Sequence, residues 1–453
     1  MKPKVLKHSR RTFLKNTSIA TATFSIVPAT VLGGKYHTAP SDKLNIAGIG
    51  VAGVGKHYLL GVKRENFVAN ADIDKVLYQK IFENERFRTM AQEEFMKKME
   101  SAKYYQDYRE MLDNEDIDAV MIGTPDHTHA IQTIEAIRRG KHVYCAKPLT
   151  KTIAESRFVR ELARNSNVAT QMSTQSDSLE EFRIIREWIW DGAIGDVTEV
   201  DIWTDRPIWP QGIERPTDTP AVPDTLDWDL FIGPAPYQPY HPAYHPFRFR
   251  GWYDFGTGAL GDMGCHFFNP VFKALKLGQP DSIYASSTPL FPATYPNASI
   301  VHYSFPARDG FPALKLNWYD GGMKPERPKE LESNREIHPT GILFRGSKGA
   351  LMCNSTGNDP RLLPESRHRS YKRPPKTEKR SIGHYEEWVE ACKGGEPAGV
   401  EFEYGSLLTE IVLLGNIAIR TGKKLDWDGN RFTNNEEANN YLNEPYQNGW
   451  ELK

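Results

Sequence analysis

The sequence predicts a two-domain α/β protein: a doubly wound parallel sheet first, then an α+β domain with an open, mainly antiparallel sheet. Three observations carry this. Short apolar runs ending in glycine or turn residues alternate with helical stretches over residues 44–172, as parallel strands buried on both faces require. The first run enters a glycine-rich loop, Gly48, Gly50 and Gly53. Beyond residue 280 the runs follow one another directly, separated by turn residues, as in an antiparallel meander.

In order, strands are expected at 44–49, 67–73, 118–123, 141–145 and 168–172, with helices over 75–99, 131–139 and 153–164. Gly140 stops the helix at 131–139. Residues 203–255 are dense in Pro, Trp, Tyr and His and lack periodicity, which predicts a long ordered loop with a function. A helix over 259–275 follows, then strands at 282–287, 299–305, 313–319, 342–344 and 350–353, a solvated basic loop at 367–380, and helices at 385–392 and 407–421. Domains are placed at 43–170 and 171–453, the final helices being free to fold back onto the first.

Ser9-Arg10-Arg11-Thr12-Phe13-Leu14-Lys15 heads an apolar stretch over residues 19–32. Residues 1–34 therefore read as a twin-arginine leader, an export signal for the periplasm. That route carries folded proteins to a compartment without a soluble nicotinamide pool, so a dinucleotide would be loaded first and stay bound. The leader holds six lysines and arginines and no acid, so its removal moves the net charge from −1 to −7. A mildly acidic protein is a poor partner for nucleic acid. No other stretch reads as a bilayer span. The four cysteines show no CxxC spacing and read as buried thiols rather than a disulfide framework.

The glycine loop carries the first chemistry. Gly48 permits the turn, Gly50 lets backbone approach a pyrophosphate, and Gly53 lets the helix lie close to the strand; Val51 and Ala52 complete the loop. Asp72 falls 19 residues past Gly53, at the end of the next strand. A carboxylate there accepts from adenosine ribose hydroxyls and repels a 2′-phosphate, which predicts NAD over NADP in a Rossmann domain. Thr124, Pro125, His127 and His129 lie at the carboxyl end of the strand 118–123. His127-x-His129 can be read as a metal pair or as a wall of the cofactor site. The glycine loop favours the wall, and no metal is expected. Lys147 ends the strand 141–145 and aims at the same crevice, where an ammonium can stabilise a developing alkoxide. Asp262 and His266, at i and i+4, share one helical face. On spacing they fit equally a base with its orienting carboxylate, or a capping Asp with a structural His.

Together these segments resemble the Gfo/Idh/MocA oxidoreductases. The glycine loop, Asp72, Thr124-Pro125, Lys147-Pro148 and the turn holding Asp262 and His266 stand in that family's order, and residues 407–427 with Gly449-Trp450-Glu451-Leu452 look like its exported bacterial branch. The resemblance implies catalytic Lys147, Asp262 and His266, Gln175 and Lys147 at the cofactor, a sugar substrate, and a homo-dimer or homo-tetramer. Two departures stand out. Position 146 is Ala where relatives carry Glu before Lys-Pro, and Ser173-Thr174-Gln175-Ser176 replaces Gly-Asn-Gln-Gly.

The loop 203–255 fits a carbohydrate site. Its aromatics, Tyr244, Trp252 and Tyr253 among them, offer flat faces for sugar C–H groups, and Arg206, His241, His245, Arg248 and Arg250 can bond hydroxyls or carboxylates. The expected function is that of an exported NAD-dependent sugar oxidoreductase with an internally recycled cofactor. Two alternatives are an NAD-dependent glycosidase working through C3 oxidation and elimination, and a non-catalytic carbohydrate-binding homologue.

Overall fold

The computed structural model describes residues 42–83 and 89–452. The expected leader at 1–34 lies outside them. The first sheet has six strands, all parallel: β1 (Asn45–Ile49), β2 (Asn66–Ala71), β3 (Lys103–Tyr105), β4 (Ala119–Ile122), β5 (His142–Cys145) and β6 (Thr170–Met172), in the order β3-β2-β1-β4-β5-β6. The chain works outward from β1 to β3, then restarts at β4 on the other side of β1. That reversal opens a crevice at the carboxyl ends of β1 and β4, where such sheets bind ligands. The expected helix over 75–99 is two helices, Lys75–Glu83 and Met90–Ser101, the second held by a Thr89–Gln92 capping box.

The second sheet has eight strands: β7 (Val197–Trp203), β8 (Ser282–Ser287), β9 (Ser299–Phe305), β10 (Leu314–Tyr319), β11 (Gly341–Gly346), β12 (Gly349–Cys353), β13 (Arg361–Leu363) and β14 (Leu425–Asp426). Their order is β13-β12-β11-β7-β10-β9-β8-β14, antiparallel except for β7 against β10. β7 sits at the centre, and sequence reading passed over it although Val200 and Ile202 alternate with Glu199 and Asp201. Residues 367–380 are less solvated than expected. Their first part belongs to a helix, Glu365–Ser370, and Arg380 ends in ion pairs with Glu180 and Glu187.

Two long helices, Gly258–Leu275 and Phe402–Thr421, share one apolar core with the inner strands of the second sheet. Phe402–Thr421 corrects one expectation, being long and apolar enough to cross a bilayer by length and composition. Here 83% of its apolar window is buried, against helix Ile153–Arg164, helix Gly258–Leu275 and β8. The helix His384–Cys392 returns to the first sheet, where Trp388 and Tyr385 meet Tyr144.

Candidate active site

β1 ends in Gly50, whose φ of 74° and N–H bond to Ala71 turn the chain across the sheet edge. A Cβ there would stand 2.5 Å from Thr124 Cγ2, so only glycine fits. Residues Val51–Gly55 make one irregular turn before the helix Lys56–Gly61. The close-packing role expected of Gly53 belongs to Gly55, where a Cβ would lie 2.5 Å from the Gly50 carbonyl oxygen. Gly53 has open space within 4 Å of its would-be Cβ and faces a cavity. Asp72, one residue past β2, accepts from the Ala52 N–H at 2.7 Å and the Asp74 N–H at 3.1 Å. Its burial pushes the carboxyl up to about 6.

The cavity encloses about 520 Å³. Gly50, Ala52, Gly53, Asp72, Thr124 and Pro125 line it from the first domain; Phe231, His245, Pro246, Phe247, Phe249 and Arg250 cover it from the second. At its far end stands a charged cluster. Lys147 Nζ donates to Asp262 Oδ1 at 2.9 Å and to the Asp262 carbonyl at 2.5 Å, and Arg250 Nε donates to the same Oδ1 at 2.9 Å. The two cations overcome the cost of burial and hold the Asp262 carboxyl far below the usual carboxylate range. Lys147 does not line the cavity; Arg250 does, and so joins it to the cluster. Sequence reading named Arg250 only as one of the loop's cations.

His266 follows Asp262 by one turn and makes no side-chain hydrogen bond within the described protein. Burial and the Lys147 charge push it down to about 3, so the imidazole is neutral. Ser173, at the position where relatives carry glycine, accepts from the Lys147 N–H at 3.0 Å and pairs with the Tyr58 hydroxyl at 3.1 Å. This backbone pin was missed, though the departure at Ser173 was its signal. Ala146, in place of Glu, is buried in an apolar cluster with Tyr58 and Tyr144.

Several expected site residues are elsewhere. The nitrogens of His127 lie 3.0 and 2.6 Å from the Phe255 and Phe231 carbonyls, and those of His129 lie 2.8 Å from the Pro148 and Thr124 carbonyls. Both rings are pins between loops and neither lines the cavity. Among the described residues no group of three or more His, Cys, Asp or Glu converges on a metal position. Gln175 donates to the Tyr144 and Tyr385 hydroxyls, outside the cavity. Tyr244 and Trp252 are buried in an aromatic core with Trp228, Phe231 and Phe255, and Tyr253 packs at a tilt against Tyr295 and under the Arg420 guanidinium. Arg206 pairs with Asp205, and Arg248 is exposed; neither lines the cavity. Of the expected sugar ligands His245 and Arg250 line it, His245 beside Asp72 and Arg250 against Asp262.

A parallel sheet with this glycine turn and a carboxylate past the second strand defines a dinucleotide-binding protein with a second, site-completing domain. Residues 44–174 match the model of an oxidoreductase family with an NAD-binding Rossmann fold, and residues 197–284 match that family's C-terminal α/β domain. The chain belongs to the Gfo/Idh/MocA oxidoreductase family, and its first domain is an NAD-binding Rossmann domain. Levoglucosan dehydrogenase of Pseudarthrobacter phenanthrenivorans is 33% identical over 91 residues, 20% of this chain and 23% of that protein. The 1,5-anhydro-D-fructose reductase of Ensifer adhaerens is 36% identical over 86 residues, 19% and 26% of the two chains. These matches span about a quarter of each relative. Among solved structures, the WlbA dehydrogenase of Bordetella pertussis with NADH and UDP-GlcNAcA superposes with a TM-score of 0.59 at 15% identity, covering 85% of this chain and 98% of that one. Levoglucosan dehydrogenase with NADH and levoglucosan gives 0.53 at 17%, covering 85% and 99%. These two likenesses are of fold.

The residues fit NAD. Gly53 leaves room for the phosphates in the turn that opens the helix Lys56–Gly61, Asp72 suits the ribose hydroxyls, and His245, which lines the cavity, has a buried Nδ1 without a protein partner.

Proposed function

We propose that this protein is an exported NAD-dependent oxidoreductase acting on a sugar or sugar derivative, with a dinucleotide that stays bound and is recycled in place. One observation carries the catalytic part: Lys147, Asp262 and Arg250 meet beside the NAD cavity, with His266 one turn away. The sugar is supported by the levoglucosan and anhydrofructose enzymes that share the first-domain sequence. Export rests on Arg10 and Arg11 and the apolar stretch behind them. A homo-dimer or homo-tetramer is the proposed assembly, through the sheet face opposite the two long helices, where Tyr284 is 43% exposed.

NAD, when bound, supplies the hydride acceptor. Lys147 polarises the substrate oxygen and stabilises its charge as the carbonyl forms. Asp262, ionised throughout, fixes the ammonium and Arg250. His266, a neutral imidazole, takes the hydroxyl proton as the carbonyl forms.

The test is mass spectrometry of natively purified, then denatured, protein for bound NAD, followed by a panel of sugars and glycosides read by reduction of the bound cofactor. NAD in the protein and its reduction by a sugar support the proposal. Absence of both across the panel sinks it and leaves a carbohydrate-binding homologue. Glycoside cleavage with no net change in the cofactor replaces it with the elimination route to hydrolysis.

A further inference from the structure

Most aromatics of the loop 223–250 turn inward, Tyr237 and Phe247 being the exposed ones. Trp228 stacks on Phe231 at 4.5 Å, Tyr244 meets Trp252 at 4.8 Å, and Phe255 closes the cluster. The product is a rigid plate, and its edge lies over the adenosine end of the cavity. Two backbone bonds hold that edge to the segment just past β2: the Asp227 N–H donates to Ile73 and the Lys75 N–H donates to Thr225, each at 3.0 Å, which together make an antiparallel bridge between Asp74 and Leu226. Gln106 adds a side-chain bond to the Ile73 carbonyl. From below, His127 reaches the plate through the Phe231 and Phe255 carbonyls.

His245 is the plate's polar contribution. Its Nε2 lies 3.1 Å from Asp74 Oδ2, and its ring meets Phe231 edge-on. His245 lines the cavity near enough to Asp72 to act on that carboxyl, and its Nδ1 is buried without a protein partner. A buried ring nitrogen without a partner is costly. The ring thus stands beside the place where Asp72 would hold ribose hydroxyls. Asp74 is also spoken for on its other oxygen, which caps the helix Lys75–Glu83 through the Val76 and Leu77 N–H groups at 3.1 Å. The histidine is therefore carried by a rigid base on both sides.

We propose that His245 is a ligand of the adenosine ribose of NAD, and that the Asp74–His245 contact is the clasp that holds the dinucleotide in place. The inference rests on the proposed retention of the cofactor and names the residues responsible. In this view the loop serves the cofactor, and the sugar is left to the Lys147–Asp262–Arg250 end.

The test loads the full-length protein with NADH and follows its release by fluorescence after a chase with excess NAD. His245→Ala is expected to release NADH up to about tenfold faster than the parent, the loss of one hydrogen bond. Asp74→Asn keeps the helix cap and is expected to speed release too. The double variant should release no faster than His245→Ala, since the two residues share one contact. Melting curves check that each variant is folded, and His245→Gln serves if the alanine is not. Release from His245→Ala and His245→Gln at the parent rate overturns the proposal while leaving retention intact. If the parent itself exchanges NADH within the mixing time, retention fails, and His245 is then judged by NADH titration. Equal affinity of parent and variant overturns its role; weaker binding by the variant upholds it.

Discussion

Lys147 grips Asp262 twice, through the carboxylate at 2.9 Å and through the carbonyl oxygen at 2.5 Å. A lysine on the end of one sheet strand is thus tied to both the backbone and the side chain of a helix in the other domain. The grip sets the distance between the two halves at the reactive end.

Removing the ammonium should separate chemistry from cofactor binding. Lys147→Ala is expected to lower kcat by about two to three orders of magnitude, with NAD content unchanged because Lys147 lies outside the cavity lining. Single-turnover kinetics and nucleotide quantitation on the same sample check both halves.

Asp262→Asn keeps shape and removes charge, leaving Lys147 and Arg250 without a carboxylate. A loss of about 3 kcal/mol in unfolding free energy at pH 7 is expected. The sign of the pH dependence follows from the lowered pKa in the folded protein. The carboxylate's contribution is present above its unfolded value and lost as pH falls toward the folded one. Urea titrations of parent and variant should therefore converge below pH 4.

Gly55→Ala places a Cβ 2.5 Å from the Gly50 carbonyl oxygen and 3.8 Å from Gly123 Cα. Both neighbours are backbone, so the loop itself must shift. The expected result is a lower Tm and NAD affinity reduced by about tenfold or more, measured by calorimetry.

His384 marks an acid-sensitive joint. Gln171 Nε2 donates to its Nδ1 at 3.1 Å, which leaves Nε2–H to donate to the Tyr144 hydroxyl at 3.0 Å. That arrangement holds the neutral ring, and burial pushes its pKa to about 4. The unfolded chain takes the proton first, so stability is full above the unfolded value near 6.5 and falls as pH drops toward 4. His384→Gln should flatten that slope by on the order of 3 kcal/mol across the interval. Denaturation midpoints between pH 7 and 4 check it.

The glycine turn, Asp72, Lys147 and the Asp262–His266 pair were legible because spacing along one element determines where such residues point. The aromatic loop was not. Tyr244 and Trp252 have the same chemistry in a core as on a sugar platform, and only the fold decides which. Arg248 and Arg250 differ by two places on a single tight turn, Arg248–Gly251, which sends one to solvent and the other to the cavity. His127 and His129 read as a metal pair or a cofactor wall from their spacing at the end of a strand; their neighbours in the structure are backbone carbonyls, several of them brought from distant parts of the chain.

Residues 447 and 448 underpin the roof of the cavity. The Gln447 N–H donates to Pro234, and the Asn448 amide donates to Gly233 and Ala235, at the root of the plate that carries His245. Neither residue lines the cavity, so a substitution at Asn448 would slacken the nucleotide's cover from outside, without touching the nucleotide.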